Sequence, residues 1–366
     1  MMMAECRLTK EIAYKEFQKF FRDKPFVLFG TGMSCAVDDK FGMAALEQKL
    51  KDKLEKDSLS EQQKREWKEV IESLKNGNDF ETAMNKVKNS DLIKKIVKIT
   101  GDFVSALDYD HSIKILNNDE TWPAASLFKK LVDKTPGADR RLHAATVNYD
   151  MLAEYAFGKN KIPYINGFYG GVVRHLDWEQ CRRSITYAER SVTGKKIKTI
   201  TREHRHVCLY KVHGSLSWFL INSDIIENNA WLYDALPNGA ERLIITPGFS
   251  KYEKLHQFRE QLLGEYDRAV EKHHFFLFLG FGFNDKQLFE TILEKKLKDQ
   301  QCNGIIITRG SNKHIDDLIN EADNLWLVCK KNNDTIIKNR KYQNPLVLKN
   351  EKLWKVDIFT RKILGG

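Results

Sequence analysis

Short apolar runs recur along the chain, separated by segments long enough to hold helices. Phe26 to Phe29, Leu142 to Thr146, His206 to Val212, Leu243 to Thr246, Phe275 to Leu279, Gly304 to Thr308 and Leu325 to Val328 are all of this kind, and several end in Gly, Asn or Asp. A strand that is apolar throughout has no face to give to water, so it must be covered on both sides, as in a parallel sheet between two helical layers. The pattern predicts an α/β fold with a doubly wound, Rossmann-like parallel sheet. Ahead of the first run, Ile12, Ala13, Phe17, Phe20 and Phe21 fall at helical spacing before the chain turns at Pro25, which predicts an opening helix.

Between the first two runs the pattern changes. Residues 47–102 are rich in Lys, Glu and Gln, with Leu50, Leu54, Leu59, Trp67, Val70 and Leu74 spaced sparsely among the charges. Thirteen basic and twelve acidic residues nearly cancel there, so the segment reads as a helical insertion extending to about residue 120. The expected organisation is a catalytic α/β domain made of residues 1–46 and 121–366, interrupted by a helical insertion at 47–120. That insertion would cap a pocket or form an assembly surface.

Composition narrows the class. At 366 residues with 42% hydrophobic and 30% charged positions, the chain can bury about three quarters of its extended surface without disulfides. Cys6, Cys35, Cys181, Cys208, Cys302 and Cys329 are scattered, with no CxxC pair, so no structural zinc is expected. No apolar run approaches a membrane span, and the amino-terminal residues lack a signal-like apolar stretch; a cytoplasmic protein is expected. The net charge of +10 is local. Residues 182–206 carry +6 and residues 330–366 carry +7, two stretches suited to nucleic acid, an acidic partner or only solvent.

Candidate chemistry lies where the runs end. Gly30-Thr31-Gly32-Met33-Ser34 follows the first strand and opens toward a helix, an arrangement that can present backbone N–H groups to a pyrophosphate. Thr146-Val147-Asn148-Tyr149-Asp150 follows the second. Asp150 suits a helix N-cap, and Asn148, with two donors and an acceptor, can orient a hydroxyl or a water. His213-Gly214-Ser215 closes the run from His206 and offers a general base beside a glycine. Gly280-Phe281-Gly282-Phe283-Asn284-Asp285 ends the run from Phe275 and leads into Leu288, Phe289, Ile292 and Leu293 at helical spacing. Its glycines invite a nucleotide backbone, and Asp285 again suits an N-cap.

Taken in order, GTGMS, TVNYD, HGS and GFGFND resemble the signature blocks of the sirtuin-like NAD-hydrolase family of prokaryotic antiphage defence systems, over residues 30–285. The resemblance implies that Gly30, Thr31, Gly32, Ser34, Asp150, Gly280, Gly282, Asn284 and Asp285 hold NAD+, which serves as substrate. It also implies that Asn148 and His213 act at the nicotinamide ribose. Deacetylating sirtuins usually carry a four-cysteine zinc module after the HG block, whereas this chain has no cysteine between Cys208 and Cys302. Water is therefore the expected acceptor, giving an NAD+ hydrolase that releases nicotinamide and ADP-ribose. A deacylase or ADP-ribosyltransferase, and a non-catalytic nucleotide-binding module for nucleic acid or a partner ATPase, are the alternatives. A free hydrolase would deplete its own cell, so gating is expected, in a homo-oligomer whose sensor is supplied in trans. The resemblance, including the tail Trp354 to Phe359, implies a HerA-type ring ATPase as that partner, with a short Argonaute system second.

Overall fold

Strand β1 (Phe26–Phe29) sits at the centre of the sheet because all four of its side chains are buried. Phe26 and Leu28 enter one apolar cluster, while Val27 and Phe29 enter another on the opposite face. The same division holds on the strand Phe275–Leu279, where Phe276 and Phe278 face one way and Leu277 and Leu279 the other. Both faces are thus covered, as the continuous apolar runs demand.

The computed structural model describes residues 7–194, 196–233, 236–246, 261, 263–285, 288, 293–298 and 302–365. Cys6, Phe289 and Ile292 lie outside them. In chain order the strands are β1, β2 (Arg141–Thr146), β3 (Tyr164–Ile165), β4 (Phe168–Gly170), β5 (Arg174–Leu176), β6 (Thr186–Thr193), β7 (Lys196–Glu203), β8 (His206–Lys211), β9 (Gly214–Ile221), β10 (Asp224–Glu227), β11 (Glu241–Ile244), β12 (Phe275–Leu279), β13 (Asn303–Thr308), β14 (Leu325–Lys331), β15 (Asp334–Lys338) and β16 (Leu346–Leu348).

Among the described residues, nine of these strands make one sheet in the order β16-β15-β14-β13-β12-β1-β2-β8-β3. Every pairing from β14 to β3 is parallel, and β15 and β16 add an antiparallel edge. The fold is the α/β, Rossmann-like, parallel-dominated sheet that the pattern predicts. From β1 the chain passes to β2, then to β3 at the far edge and back to β8 between them, before returning to β12 on the other side of β1. The sequence direction reverses there, which opens a crevice at the carboxyl ends of the strands.

Two features depart from the expected pattern. The run Leu243 to Thr246 is not a strand of the parallel sheet: β11 pairs antiparallel with β9 in a second sheet of order β11-β9-β10-β5-β4. A short apolar run reports burial but not its partner, and here β9, emerging directly from the His213-Gly214 turn, supplies the edge. The basic stretch 182–206, where the apolar runs mark no strand before His206, also holds regular structure. It contains the end of the helix Trp178–Ser184 and the antiparallel ribbon β6-β7, which pairs with neither larger sheet.

Helices fill the segment between β1 and β2, at Met43–Leu54, Glu61–Lys75, Phe80–Met84 and Ser90–Asn117. Ser60 and Gln63 start the second with a reciprocal capping box, which satisfies two otherwise orphaned backbone donors. Leu46, Leu50, Leu54, Trp67, Val70, Leu92 and Ile96 make a cluster separate from the two that flank the sheet. The opening helix, Lys10–Phe20, is capped by the Thr9 side chain.

Candidate active site

The carboxyl ends of β1, β2, β8 and β12 meet at a cavity of about 410 Å³, within the usual range for ligand pockets. Gly30 and Thr31 line it from β1, Asn148 and Asp150 from β2, His213 from β8, and Gly280, Gly282, Asn284 and Asp285 from β12. Phe41, Met43, Leu46, Phe80 and Phe103 close one side, so the segment rich in helices supplies an apolar wall. Gly32 and Ser34 do not line the cavity. They lie behind it, and each has a distinct packing role.

Gly32 packs backbone to backbone against Gly280. A Cβ on Gly32 would stand 2.7 Å from the Gly280 Cα, and one on Gly280 would stand 2.7 Å from the Gly32 carbonyl carbon. The Gly30 N–H donates to the Leu279 carbonyl and the Gly32 N–H to the Gly280 carbonyl, each at 3.0 Å. These glycines therefore join the first and last blocks, and their donors are not the free phosphate cradle that the GTGMS pattern predicts.

Asn148 is fixed by both hydrogens of its carboxamide. Its Nδ2 donates to the Gly30 carbonyl at 3.0 Å and to Ser34 Oγ at 2.9 Å, and Ser34 Oγ in turn donates to Asp150 Oδ2 at 2.6 Å. The need to donate to a carbonyl assigns the amide orientation. What remains is Asn148 Oδ1, buried and, among the described residues, without a hydrogen-bond partner. A buried acceptor left unpaired costs about 1–3 kcal/mol, so a ligand hydroxyl or water that donates to it is favoured. Of the three functions that the residue type allows, only the acceptor is available.

His213 Nε2 lies 2.6 Å from Asp285 Oδ2, and both residues are buried. The other Asp285 oxygen accepts from the Leu288 N–H at 3.2 Å. One side chain thus serves both the Leu288 N–H and the histidine. Phe283 holds φ +58, a left-handed conformation that costs a bulky residue about 1–3 kcal/mol. Its ring packs 4.8 Å from that of Phe278 and 5.0 Å from that of Phe281, contacts that hold the turn in place.

The loop 148–151 is held from several sides by groups that the motif pattern does not reveal. Lys211 Nζ, at the end of β8, donates to the Asp150 carbonyl and to Glu154 Oε1 at 2.7 Å, with both side chains almost wholly buried. Desolvation raises the Glu154 carboxyl, and Lys211 opposes the shift. Tyr149 Oη donates to the Ile245 carbonyl at 2.6 Å. From the long helix Ser90–Asn117, Asp108 accepts from the Met151 N–H at 2.6 Å and from Tyr233 Oη at 2.8 Å. A lone lysine inside the apolar run 206–212 was a legible signal for the first of these contacts. Asp108 had none.

Burial, and then the nearby Asp150 carboxylate, push the Asp108 carboxyl up to about 7. The Asp150 carboxyl is itself raised by desolvation, against the attraction of Lys211. For Asp108 the sign follows directly. Between about pH 4, where an unfolded aspartate ionises, and pH 7 the folded chain holds the extra proton, so this group's contribution to stability falls as pH rises. Asp108→Asn, which keeps an acceptor for Met151, is expected to flatten that part of the stability–pH profile, read as Tm from pH 4 to 8. An unchanged slope would show that Asp108 does not titrate there.

Sheet, crevice and polar strand ends define an α/β protein of the nucleotide-binding type. Residues 142–327 match the SIR2-like domain family, and the chain belongs to that family. No curated protein matches the chain. Membership points to NAD-dependent chemistry, and the GTGMS block lies ahead of the matched residues. Among the described residues no cluster of His, Cys, Asp and Glu is arranged to hold a metal, and no helix is long and apolar enough to cross a membrane.

Proposed function

We propose that this chain hydrolyses NAD+ at its N-glycosidic bond, releasing nicotinamide and ADP-ribose. The observation that carries the reading is the unpartnered Asn148 Oδ1, on the wall of the cavity that also exposes the His213–Asp285 pair. The oxygen fits a ribose hydroxyl or the attacking water, since each can donate to it. Fixing that donor pre-organises the attack. The bond from C1′ to the ring nitrogen breaks with its electron pair passing to nicotinamide, which neutralises the positive ring without a general acid. Water forms the new bond at C1′, and its proton passes to the His213–Asp285 pair. Residues 47–120 form a helical unit whose apolar side chains shield the ribose from bulk water.

Water as acceptor is supported by the lack of cysteines between Cys208 and Cys302, where deacetylating sirtuins usually carry their zinc module. Resemblance to the antiphage relatives supports a gated cytoplasmic homo-oligomer that depletes NAD+ on infection, with a HerA-type ring ATPase as activating partner. Mass spectrometry of the products tests the reaction in the full chain with the partner that co-purifies with it. Nicotinamide and free ADP-ribose in equal amounts are expected; O-acyl-ADP-ribose, or ADP-ribosylated protein or nucleic acid, would overturn the reading. Asn148→Ala should lower turnover by about 10- to 100-fold and cost about 1–2 kcal/mol of stability, because Ser34 Oγ and the Gly30 carbonyl, which keeps the Met33 N–H, each lose a donor.

A further inference from the structure

The ribbon β6-β7 stands apart from both larger sheets, and its charge is one-sided beyond the base. At the base Glu203 pairs with Arg141 and Glu189 with Arg202. Beyond Glu189, residues 190–201 contain Arg190, Lys195, Lys196 and Lys198 and no acid. Arg190, Lys196 and Lys198 are exposed, and among the described residues no carboxylate forms a salt bridge with them. The other basic stretch differs. There Lys338, Arg340 and Lys362 pair with Asp316, Asp323 and Glu351, and Lys330 and Lys355 lie against the Trp354 ring.

Cross-strand register sorts the distal side chains. Lys198 lies opposite Ser191 on one face, and Arg190 lies opposite Thr199 on the other, next to the pair Val192 and Ile197. That apolar pair is 69% and 70% exposed. Protecting a free sheet edge from self-pairing needs charge of either sign, so it does not explain why every distal charge is positive. Cations interspersed with hydroxyls are the groups that contact phosphates. An eight-residue ribbon spans about 26 Å, and the B-form major groove, about 12 Å wide, admits a two-stranded ribbon.

We propose that the β6-β7 ribbon is a docking arm for duplex DNA, its cations on the phosphates and its Val192–Ile197 tip against the base edges. The deep, narrow major groove of A-form RNA excludes such an arm.

The test uses the full chain without NAD+, so that it stands apart from the proposed hydrolysis, and follows anisotropy of a labelled random-sequence 25-base-pair DNA (about two turns). Three phosphate contacts predict a fall in affinity of about 40-fold between 50 and 200 mM salt. Arg190→Glu/Lys196→Glu/Lys198→Glu should weaken binding at least tenfold. Lys331→Glu/Lys341→Glu/Lys349→Glu, an equal charge change on exposed positions of the other basic stretch, should weaken it far less. NAD+ turnover without DNA should be unchanged in the ribbon variant. Equal loss in both variants, no binding by the native chain at 50 mM salt, equal binding of an RNA duplex, or DNA binding retained while the ribbon variant changes oligomeric state would each overturn the assignment.

Discussion

Replacing His213 with alanine is expected to lower NAD+ turnover by about 10²- to 10⁴-fold, the usual contribution of a positioned general base. The loss should fall on kcat, because the cavity walls formed by β1 and β12 stay in place. Asp285→Asn should give a smaller loss. It keeps an oxygen for the Leu288 N–H, but removes the carboxylate from beside His213 Nε2. Initial rates with the activating partner present, paired with thermal melts, check both variants. If folded His213→Ala consumes NAD+ as fast as the native chain, the histidine has no part in the chemistry and the proposed mechanism fails.

Gly214→Ala is expected to cost about 3 kcal/mol or more, combining left-handed strain with overpacking. Gly214 holds φ +82, and a Cβ there would lie 2.0 Å from the Leu243 carbonyl oxygen. That oxygen belongs to the backbone of β11, so relief requires the smaller sheet to shift. With an unfolding entropy scaled to 366 residues, 3 kcal/mol corresponds to a fall in Tm of about 4 °C. Gly158→Ala is the matched control. Nothing lies within 4 Å of its Cβ position, and alanine should be neutral or slightly stabilising in that helix. Equal melting temperatures for the two variants would refute the close approach of β9 and β11.

The central strands could be read from the sequence, because a sheet covered on both faces leaves an unbroken apolar run for each strand. Their polar ends could be read too. GTGMS, TVNYD, HGS and GFGFND follow β1, β2, β8 and β12, and these four strands are neighbours in the sheet. The smaller sheet was not legible. In β11 only Glu241 is exposed, so its pattern matches that of a parallel strand although its partner is antiparallel.

Sequence by itself therefore determined the fold class, the polar strand ends and the family resemblance, since burial and strand termination are local properties. Tertiary structure alone decided which atoms are available. Asn148 keeps only its acceptor because both of its hydrogens are spent on Gly30 and Ser34, more than a hundred positions away in the chain. Gly32 and Gly280 use their missing side chains on each other, and Asp108 reaches Met151 from a helix with no motif of its own. The physical reason is that hydrogen-bond saturation and close packing depend on which residues meet in space, a property that no single segment encodes.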